Sequence, residues 1–529
     1  MALPPACATA VKGTPPGKFP TPAQRRPAYN HQPAKEIPVR DTVQVATTHR
    51  ATKIVATIGP ASNDLETLVR MFNAGVNVVR LNFSHGKAQD HVERARMVRE
   101  AAARVGREVA IMADLQGPKI RIGKFEEGRI HLENGDKFVL DAKWGENGEL
   151  GNQERVGLDY KDLPRDLRPA DVLLLNDGLI VMTVDRIIGS EIHTTVKIGG
   201  ELSNNKGINR QGGGLSAPAL TAKDMEDIKT AMSFQADYIA VSFPKNATDM
   251  VMARQLANIA GEPWAHKPFM IAKIERAEAI PALQEILDAS DGIMVARGDL
   301  AVEVGNAAVP ALQKRMIKMA RASNKLAITA TQMMESMIVN AVPTRAEVSD
   351  VANAVLDGTD AVMTSAETAS GKYPVETVEA MAAICLDAEK WNPSNPDVDL
   401  INTTFSRIDQ SIAYGALFTA HHLRVKAIAA LTESGSTCLW MSRNNINVPI
   451  IALTPSVATQ RKLALYRNVV SLELKQTRDR ETVLRSVEEL LIARGVVQRG
   501  DTVVLTWGEP MGLVGGTNAL KIMKIGAPA

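Results

Sequence analysis

Short apolar runs and amphipathic segments alternate along the chain from Thr52 onwards. The first run, TKIVATIGP, is typical of a buried strand, and the segment DLETLVRMFNAG has apolar residues at helical spacing and ends at Gly75. The alternation produces eight strands in all, and the last five of them are DYIAVSFP, FMIAKIE, GIMVARGD, LAITATQM and AVMTSAET. Because eight strand–helix units close a TIM barrel, the pattern predicts a TIM-barrel domain formed by residues 46–118 and 216–390.

The pattern changes twice. Residues 119–215 hold short period-2 runs separated by NG and DG turns, which predicts a β domain inserted into a barrel loop. After the linker NPSNPDVD, residues 391–529 hold a further α/β domain, which we expect to be an open, doubly wound sheet with the strands VKAIAALT, VPIIALTP, VVSLEL and DTVVLTW. The overall fold class is therefore α/β.

The first 45 residues are rich in proline and have no apolar periodicity, so we expect an extended or disordered arm. The arm has no apolar core of the kind a secretory signal needs. It is basic and poor in acidic residues, so two interpretations stay open: a flexible tail, or an organelle transit peptide that lacks the usual amphipathic helix.

Composition narrows the function classes. A net charge of +2 gives no field that would favour nucleic acid or an acidic membrane, and no apolar run is long enough to span a bilayer. The three cysteines, Cys7, Cys385 and Cys438, form neither a metal motif nor a disulfide framework, which is typical of a protein in the reducing cytoplasm.

The stretch from Phe269 to Leu300 carries the most informative chemistry, because each of its two buried strands ends in charged residues. These residues are Lys273 and Glu275 after the first strand, and Arg297 and Asp299 after the second. A single Lys-x-Glu is usually a structural ion pair. The repeated pattern instead favours a metal ion with an anionic ligand, because clustered charges are costly to bury unless they are balanced.

Polar residues follow other predicted strands as well, and in a TIM barrel the carboxyl ends of the strands carry the chemistry. The further candidates are Arg80, Asn82, Ser84, His85, Asp114, Thr329, Thr331, Gln332, Ser365 and Glu367. Glu275 and Asp299 are suitable oxygen ligands for Mg²⁺, and Lys273 could offset charge that develops on a phosphoryl or enolate oxygen. Arg80 could bind a phosphate, and the helix start near Gly298 could bind a carboxylate. The GGG at Gly212–Gly214 lacks the Lys-Ser/Thr of a Walker loop, so we expect a hinge there.

The motifs KIVATIGP, RLNFSHG, ADLQGPKIR, KIERAEAI, DGIMVARGDL, TATQMMESM, PTRAEVSDVANAVLDGTDAVM and SAETASGKYP occur in this order between residues 52 and 374. Together they resemble the pyruvate kinase family. The inserted β domain and the C-terminal domain correspond to that family's lid and regulatory domains. The resemblance implies phosphoryl transfer from phosphoenolpyruvate to ADP, which gives ATP and, after protonation, pyruvate.

The resemblance also implies roles for individual residues. Glu275 and Asp299 would hold Mg²⁺ or Mn²⁺, Arg80 would contact the transferred phosphoryl group, and Lys273 would stabilise the transition state. Gly298 and Asp299 would offer backbone N–H groups to the substrate carboxylate, and Thr331 would bind substrate and support proton delivery. The nucleotide phosphates would be contacted by Arg121, Lys206, Asn82 and His85.

Two positions depart from the common family pattern. Many members bind K⁺ through positions matching Asn82, Ser84, Asp114 and the carbonyl of Leu115, and carry Glu where this chain has Lys119. A tethered ammonium can supply the charge that K⁺ would bring, so we expect activity without K⁺; the alternative is a solvated loop lysine. In the C-terminal domain, Glu433 stands where members that respond to fructose 1,6-bisphosphate tend to have Lys.

The loop around Glu433 resembles the family's sugar-phosphate site, with a phosphate expected on Thr432, Ser434, Gly435, Ser436 and Thr437. Because the later loop GEPMGLVGGTN adds an acid and no base, a monophosphate effector such as ribose 5-phosphate, glucose 6-phosphate or AMP fits better than a bisphosphate. The resemblance also implies a homotetramer. Two rival functions stay open: a barrel aldolase or lyase in which Lys273 forms an imine, and a catalytically silent sensor or scaffold.

Overall fold

The computed structural model describes residues 49–391, 404–475 and 479–527. The predicted N-terminal arm and the linker at 392–399 lie outside these ranges. Within them, no helix has both the length and the apolar composition that crossing a membrane would require.

The predicted TIM barrel is confirmed. Eight parallel strands close on themselves in the order β1-β16-β15-β14-β13-β12-β3-β2. Six of them are buried along their whole length, as their apolar sequences require. The strand bounds are β1 Lys53–Thr57, β2 Val78–Asn82, β3 Ala110–Asp114, β12 Tyr238–Val241, β13 Phe269–Ile274, β14 Gly292–Ala296, β15 Leu326–Ala330 and β16 Ala361–Thr364.

Helices follow the strands and cover the barrel. The first shows how the sequence sets its ends: the Asp64 side chain accepts a hydrogen bond from the N–H of Thr67, and Gly75 ends the helix at φ +125°. The bounds are α1 Leu65–Ala74, α2 Ala88–Arg104, α4 Ala222–Ser233, α5 Ala247–Gly261, α6 Leu283–Ala289, α7 Arg297–Val304, α8 Val309–Ala322, α9 Arg345–Leu356, α10 Ala366–Ala369 and α11 Pro374–Lys390.

The inserted region between β3 and β12 is built of β-strands, as predicted, and has its own apolar core. It contains a six-stranded sheet in the order β11-β7-β8-β9-β5-β6 and a two-stranded sheet formed by β10 and β4. The bounds are β4 Arg129–Leu132, β5 Lys137–Asp141, β6 Arg155–Gly157, α3 Leu163–Asp166, β7 Val172–Leu175, β8 Ile180–Ile188, β9 Glu191–Ile198, β10 Gly200–Ser203 and β11 Ile208–Arg210. Gly212–Gly214 follow the last strand with positive φ at all three residues, as a sharp change of chain direction requires.

The C-terminal region is an open α/β sheet in the order β19-β18-β17-β20-β21. The last strand, β21, was not predicted and runs antiparallel to its neighbour. In its sequence TNALKIMK the apolar residues are interrupted by lysine and come only in pairs, so it lacks the longer apolar run that marked the predicted strands. The bounds are α12 Ile408–Leu423, β17 Ala427–Leu431, α13 Ser436–Ser442, β18 Ile450–Thr454, α14 Val457–Leu463, β19 Val469–Glu473, α15 Arg480–Ala493, β20 Thr502–Gly508 and β21 Thr517–Lys524.

The amino ends of the barrel strands pack against this C-terminal region. Tyr238, the first residue of β12, belongs to the same buried apolar cluster as Leu465 and Tyr466. Its hydroxyl donates to the backbone carbonyl of Lys462 in α14. The amino end of the barrel is therefore covered, and the carboxyl ends of the strands remain for the site.

Candidate active site

Lys273 lies near the carboxyl end of β13 and is surrounded by three oxygen acceptors. Its Nζ is 2.6 Å from Ser242 Oγ, 2.8 Å from Glu275 Oε1 and 3.2 Å from Asp114 Oδ1. Burial acts to lower the pKa of Lys273, but Asp114 and Glu275 outweigh it and raise the pKa above that of an ordinary lysine. Lys273 is therefore an ammonium at neutral pH, which disfavours the imine-forming alternative.

Asp114, at the end of β3, is shared between two cations. Its Oδ2 accepts from Arg80 Nε at 2.5 Å, and its other oxygen faces Lys273. Burial alone would raise the pKa of Asp114, but Arg80 and Lys273 hold it below its usual value. Arg80 also donates to Thr57 Oγ1 at 3.1 Å. Two cations are thus fixed beside one fully buried carboxylate.

Glu275 and Asp299 are the predicted ligands of a divalent ion. Glu275 Oε2 accepts from the backbone N–H of Phe243 at 2.9 Å. Burial raises the pKa of Glu275; Lys273 opposes this shift and Asp299 adds to it, so the two carboxylates feel each other's charge. A second cation at this position would relieve that repulsion, and carboxylate oxygens are what Mg²⁺ or Mn²⁺ accepts.

The donor set is small. In the described part of the chain, no three His, Cys, Asp or Glu side chains converge in a way that could hold a metal. Mg²⁺ needs no such cage, because it is commonly bound by one or two carboxylates and completes its shell with substrate oxygens and water. Glu275 and Asp299 therefore fit a divalent ion that is shared with a substrate.

Lys119 reaches across from the start of the inserted region. Its Nζ is 3.1 Å from Asp299 Oδ1 and 3.9 Å from Asp177 Oδ1. The side chain is only 27% exposed, so it is not a freely solvated loop lysine. The Lys119 ammonium contacts Asp299. The residues that were expected to bind K⁺ are different ones: Asn82, Ser84, Asp114 and Leu115. Replacement of K⁺ by Lys119 stays a prediction.

Arg297 begins α7, as the sequence predicted, and holds the loop after β15. Its guanidinium donates to the carbonyl of Thr331 at 2.6 Å and pairs with Asp350 at 2.7 Å. Thr331 has a φ of +68°, which is strained for a β-branched residue. In this conformation its Oγ1 accepts from the N–H of Gly298 at 2.8 Å. The strained loop thus brings Thr331 onto the helix start that was predicted to bind a carboxylate.

Three predicted strand-end residues lie in structural positions. Thr329 is fully buried and its Oγ1 is 3.1 Å from Thr359 Oγ1. Glu367 accepts from the N–H groups of Ser365 and Met334, so it stabilises the loops after β15 and β16. The hydrogen bonds of Thr329, Ser365 and Glu367 therefore stabilise the strands and loops that carry the site.

The predicted nucleotide contacts lie on two groups of loops. Asn82 Oδ1 accepts from the N–H of Ser84 at 3.1 Å, and His85 is exposed beside them. In the inserted region, the backbone of Arg121 forms an isolated bridge with that of Gly207, which places Arg121 next to Lys206. Arg121 also donates to the carbonyl of Asn205 at 3.0 Å. Arg121 and Lys206 therefore lie next to each other in the inserted region, and Asn82 and His85 lie next to each other on the loop after β2.

Ser242 and Phe243 were missed as site residues. They directly follow β12, and they contact Lys273 and Glu275 respectively. The signal that could have found them is the rule applied to the other strands, because both residues stand at the carboxyl end of DYIAV. They were overlooked because neither residue carries a charge.

The predicted effector loop lines a cavity of about 60 Å³ in the C-terminal region. Thr432, Ser434, Ser436 and Thr437 line it, whereas Gly435 has a φ of +86° and donates its N–H to Thr432 Oγ1 at 2.9 Å. Glu433 lies on the same wall. Lys475 also lines the cavity and was not anticipated, so the cavity has one acidic and one basic side chain.

The fold and the site define a TIM-barrel enzyme with a charged centre for an anionic substrate at the carboxyl ends of its strands. Two family models match the chain: the pyruvate kinase barrel domain over residues 49–378 and the pyruvate kinase alpha/beta domain over residues 410–523. The chain belongs to the pyruvate kinase family and is a phosphotransferase.

Individual relatives agree with the family models. Pyruvate kinase II of Salmonella typhimurium is 50% identical over 480 residues, which is 90% of this chain and 99% of the relative. Pyruvate kinase of Haemophilus influenzae is 49% identical over 463 residues, 87% of this chain and 96% of the relative. The crystal structure of a pyruvate kinase from Cryptosporidium parvum matches with a TM-score of 0.84 at 33% identity, covering 90% of this chain and 96% of that one.

Proposed function

We propose that this chain transfers the phosphoryl group of phosphoenolpyruvate to ADP, giving ATP and pyruvate, as in the final step of glycolysis. The observation that carries the proposal is the Lys273 ammonium, which is held by Asp114, Glu275 and Ser242 at the barrel mouth. A fixed cation that needs no reorganisation stabilises the charge of a phosphoryl group during transfer.

Arg80 and Lys273 act as a pair around Asp114. Because Asp114 orients both side chains, the remaining N–H groups of Arg80 and the positive charge of Lys273 can face the transferred phosphoryl group. Glu275 and Asp299 would hold Mg²⁺ or Mn²⁺, and a bound divalent ion supplies further positive charge to the oxygens of the substrate. All of these groups favour the same anionic transition state.

Gly298, Asp299 and Thr331 bind the carboxylate end of the substrate in this proposal. The N–H groups at the start of α7 are suited to an anion, and the substrate carboxylate would take over the Gly298 N–H from the Thr331 hydroxyl, which accepts it at 2.8 Å. The same hydroxyl supports proton delivery to the enolate. Arg121, Lys206, Asn82 and His85 contact the nucleotide phosphates, and Lys119 makes K⁺ dispensable.

The C-terminal cavity binds a phosphorylated effector in this proposal. The hydroxyls of Ser434 and Ser436 line the cavity and can bind one phosphate, and the Thr437 hydroxyl, which is bonded to Thr517, lies on the same wall. Glu433 would repel a second phosphate, so the effector is a sugar monophosphate or AMP. Titration of activity with ribose 5-phosphate, glucose 6-phosphate, AMP and fructose 1,6-bisphosphate tests this, and activation by the bisphosphate alone would refute it.

We also propose a cytoplasmic homotetramer. Apolar side chains of α12 support association, because Phe418 and Leu423 are 58% and 52% exposed, and Ile408 is 69% exposed. Sedimentation equilibrium of the purified chain tests the oligomeric state, and a monomer at micromolar concentration would contradict it.

The decisive experiment measures pyruvate formation that depends on ADP, using the Lys273→Met variant. The matched control is Lys314→Met, because Lys314 pairs with Asp357 away from the barrel mouth. We expect the first variant to lose at least ~1,000-fold in kcat while it stays folded, and the control to keep its rate. Undiminished turnover of Lys273→Met would overturn the proposal.

Two further measurements address the rival functions. Borohydride reduction in the presence of pyruvate would trap an imine on Lys273 if the chain were a lyase, and we expect no adduct. A wild-type chain without ADP-dependent pyruvate formation would favour the catalytically silent scaffold.

A further inference from the structure

We infer that Ser242 is a positioning residue for phosphoryl transfer: its hydroxyl holds the Lys273 ammonium in place without cancelling its charge. The inference rests on the proposed role of Lys273. It concerns a residue that was predicted neither from the strand-end pattern nor from the family resemblance.

Ser242 directly follows β12, and only 1% of its surface is exposed. Its Oγ accepts from Lys273 Nζ at 2.6 Å and donates to the carbonyl of Leu115 at 2.8 Å. A hydroxyl has a single hydrogen, and a protonated lysine can only donate. The Ser242 hydrogen therefore points to Leu115, and its lone pairs point to Lys273.

The other two acceptors of the ammonium are anions with further partners. Asp114 is shared with Arg80, and Glu275 accepts from the Phe243 N–H and is the proposed ligand of the divalent ion. Each of these carboxylates also neutralises part of the charge on Lys273. Ser242 is the neutral acceptor, so it directs one N–H of the ammonium and leaves its charge available to the substrate.

The backbone on both sides of Ser242 is held in place. Phe243 has a φ of +56°, and its N–H is bonded to Glu275. On the other side, a Cβ placed at Gly117 would lie 2.6 Å from Ser242 Cβ, and the Gly117 N–H is held by Asp224 Oδ1 at 3.0 Å. Ser242 is thus enclosed between two fixed segments, as a positioning group requires.

The test compares three variants by steady-state kinetics. Ser242→Ala removes only the oxygen, and we expect kcat to fall about 10- to 100-fold, the range for losing one hydrogen bond to a charged group. The KM values for phosphoenolpyruvate and ADP should change by less than about threefold, because the lost interaction acts on the transition state.

Ser242→Thr and Ser242→Val form a matched pair, because threonine and valine have the same shape and only threonine has a hydroxyl. Both add the same bulk, but only threonine keeps the hydroxyl bonds to Lys273 and Leu115, so the valine variant should melt at a lower temperature and the threonine variant should have at least ~10-fold higher kcat. If the two variants have the same kcat, or if Ser242→Ala turns over like the wild type, the inference is wrong.

The Lys273→Met variant distinguishes failure of the proposed function from failure of the inference about Ser242. If it is inactive while Ser242→Ala keeps full activity, the proposed function stands and the inference about Ser242 fails. If Lys273→Met is fully active, the proposed role of Lys273 fails, and the inference fails with it.

Discussion

Arg297 and Asp350 form an ion pair at 2.7 Å that connects the first residue of α7 to helix α9. The same guanidinium donates to the carbonyl of Thr331, whose backbone is held at a strained φ of +68°. The ion pair therefore supports the loop in which the Thr331 hydroxyl accepts from the N–H of Gly298. In the described part of the chain Asp350 pairs with Arg297, not with Gly298 or Thr331. It fixes Arg297, and Arg297 in turn holds the loop that carries Thr331.

Asp350→Asn tests this relationship. The amide can still accept one hydrogen bond, but it lacks the charge, so Arg297 is held less firmly and the strained loop becomes more mobile. We expect kcat/KM for phosphoenolpyruvate to fall about 10-fold, because small displacements of positioning groups slow catalysis strongly. Asp387→Asn is the control, since Asp387 forms an exposed ion pair with Lys390 within α11. Equal losses in both variants would contradict the prediction.

The raised pKa of Glu303 predicts how the free energy of unfolding depends on pH. Glu303 lies in α7, is 5% exposed, and accepts from the N–H of Ala277 at 2.8 Å. Burial, with a smaller contribution from Glu278, raises the pKa of Glu303 to about 7. The unfolded chain has the lower pKa, so this residue favours the folded state below about pH 4.5, and the contribution is lost as the pH rises to about 7.

The Glu303→Gln variant keeps the acceptor for Ala277 but cannot ionise. We expect its advantage over the wild type in free energy of unfolding to grow by about 2.5 kcal/mol between pH 5 and pH 8. Urea denaturation at the two pH values, at constant ionic strength, measures it. A difference between variant and wild type that does not change with pH would show that Glu303 does not titrate in this range.

The hydrogen bond from Tyr238 to Lys462 joins the barrel to the C-terminal region, and its removal measures how much it contributes to the free energy of unfolding. In Tyr238→Phe the half-buried carbonyl of Lys462 loses the donor that the fully buried Tyr238 side chain supplies, so we expect the free energy of unfolding to fall by about 1–2 kcal/mol. Tyr160→Phe is the matched control, because the Tyr160 hydroxyl bonds to Asp166 at a site that solvent can reach. Equal destabilisation by both variants would show that burial of the Tyr238 bond adds nothing.

Lys119 predicts independence from a monovalent cation. Its ammonium, 3.1 Å from Asp299 Oδ1, already brings positive charge to the site. We expect wild-type turnover in tetramethylammonium buffer to stay within about twofold of its value with KCl. Lys119→Glu reverses the charge, and its turnover should then depend on KCl. A wild type that is inactive until KCl is added would refute the prediction.

Much of the barrel could be predicted because its strands are continuous apolar runs and its helices have clear ends, as at Asp64 and Gly75. The charged candidates could be predicted for a related reason. A Lys, Glu or Asp next to a buried strand is costly unless it is paired, so Lys273, Glu275 and Asp299 were conspicuous in the sequence. Strand β21 was missed because its apolar residues are interrupted by polar ones without a regular period, as in a surface segment.

The sequence by itself thus determined the order of the elements and which of them carry charge, since both follow from local periodicity and from the cost of burying ions. Only the tertiary structure decided which groups meet. Ser242 reaches Lys273, Asp350 reaches Arg297 and Lys119 reaches Asp299 because closure of the barrel and the path of the inserted region bring distant segments together. The sequence places the neutral Ser242 at a strand end, but its contact with Lys273, 31 residues away, follows only from a distance across neighbouring strands.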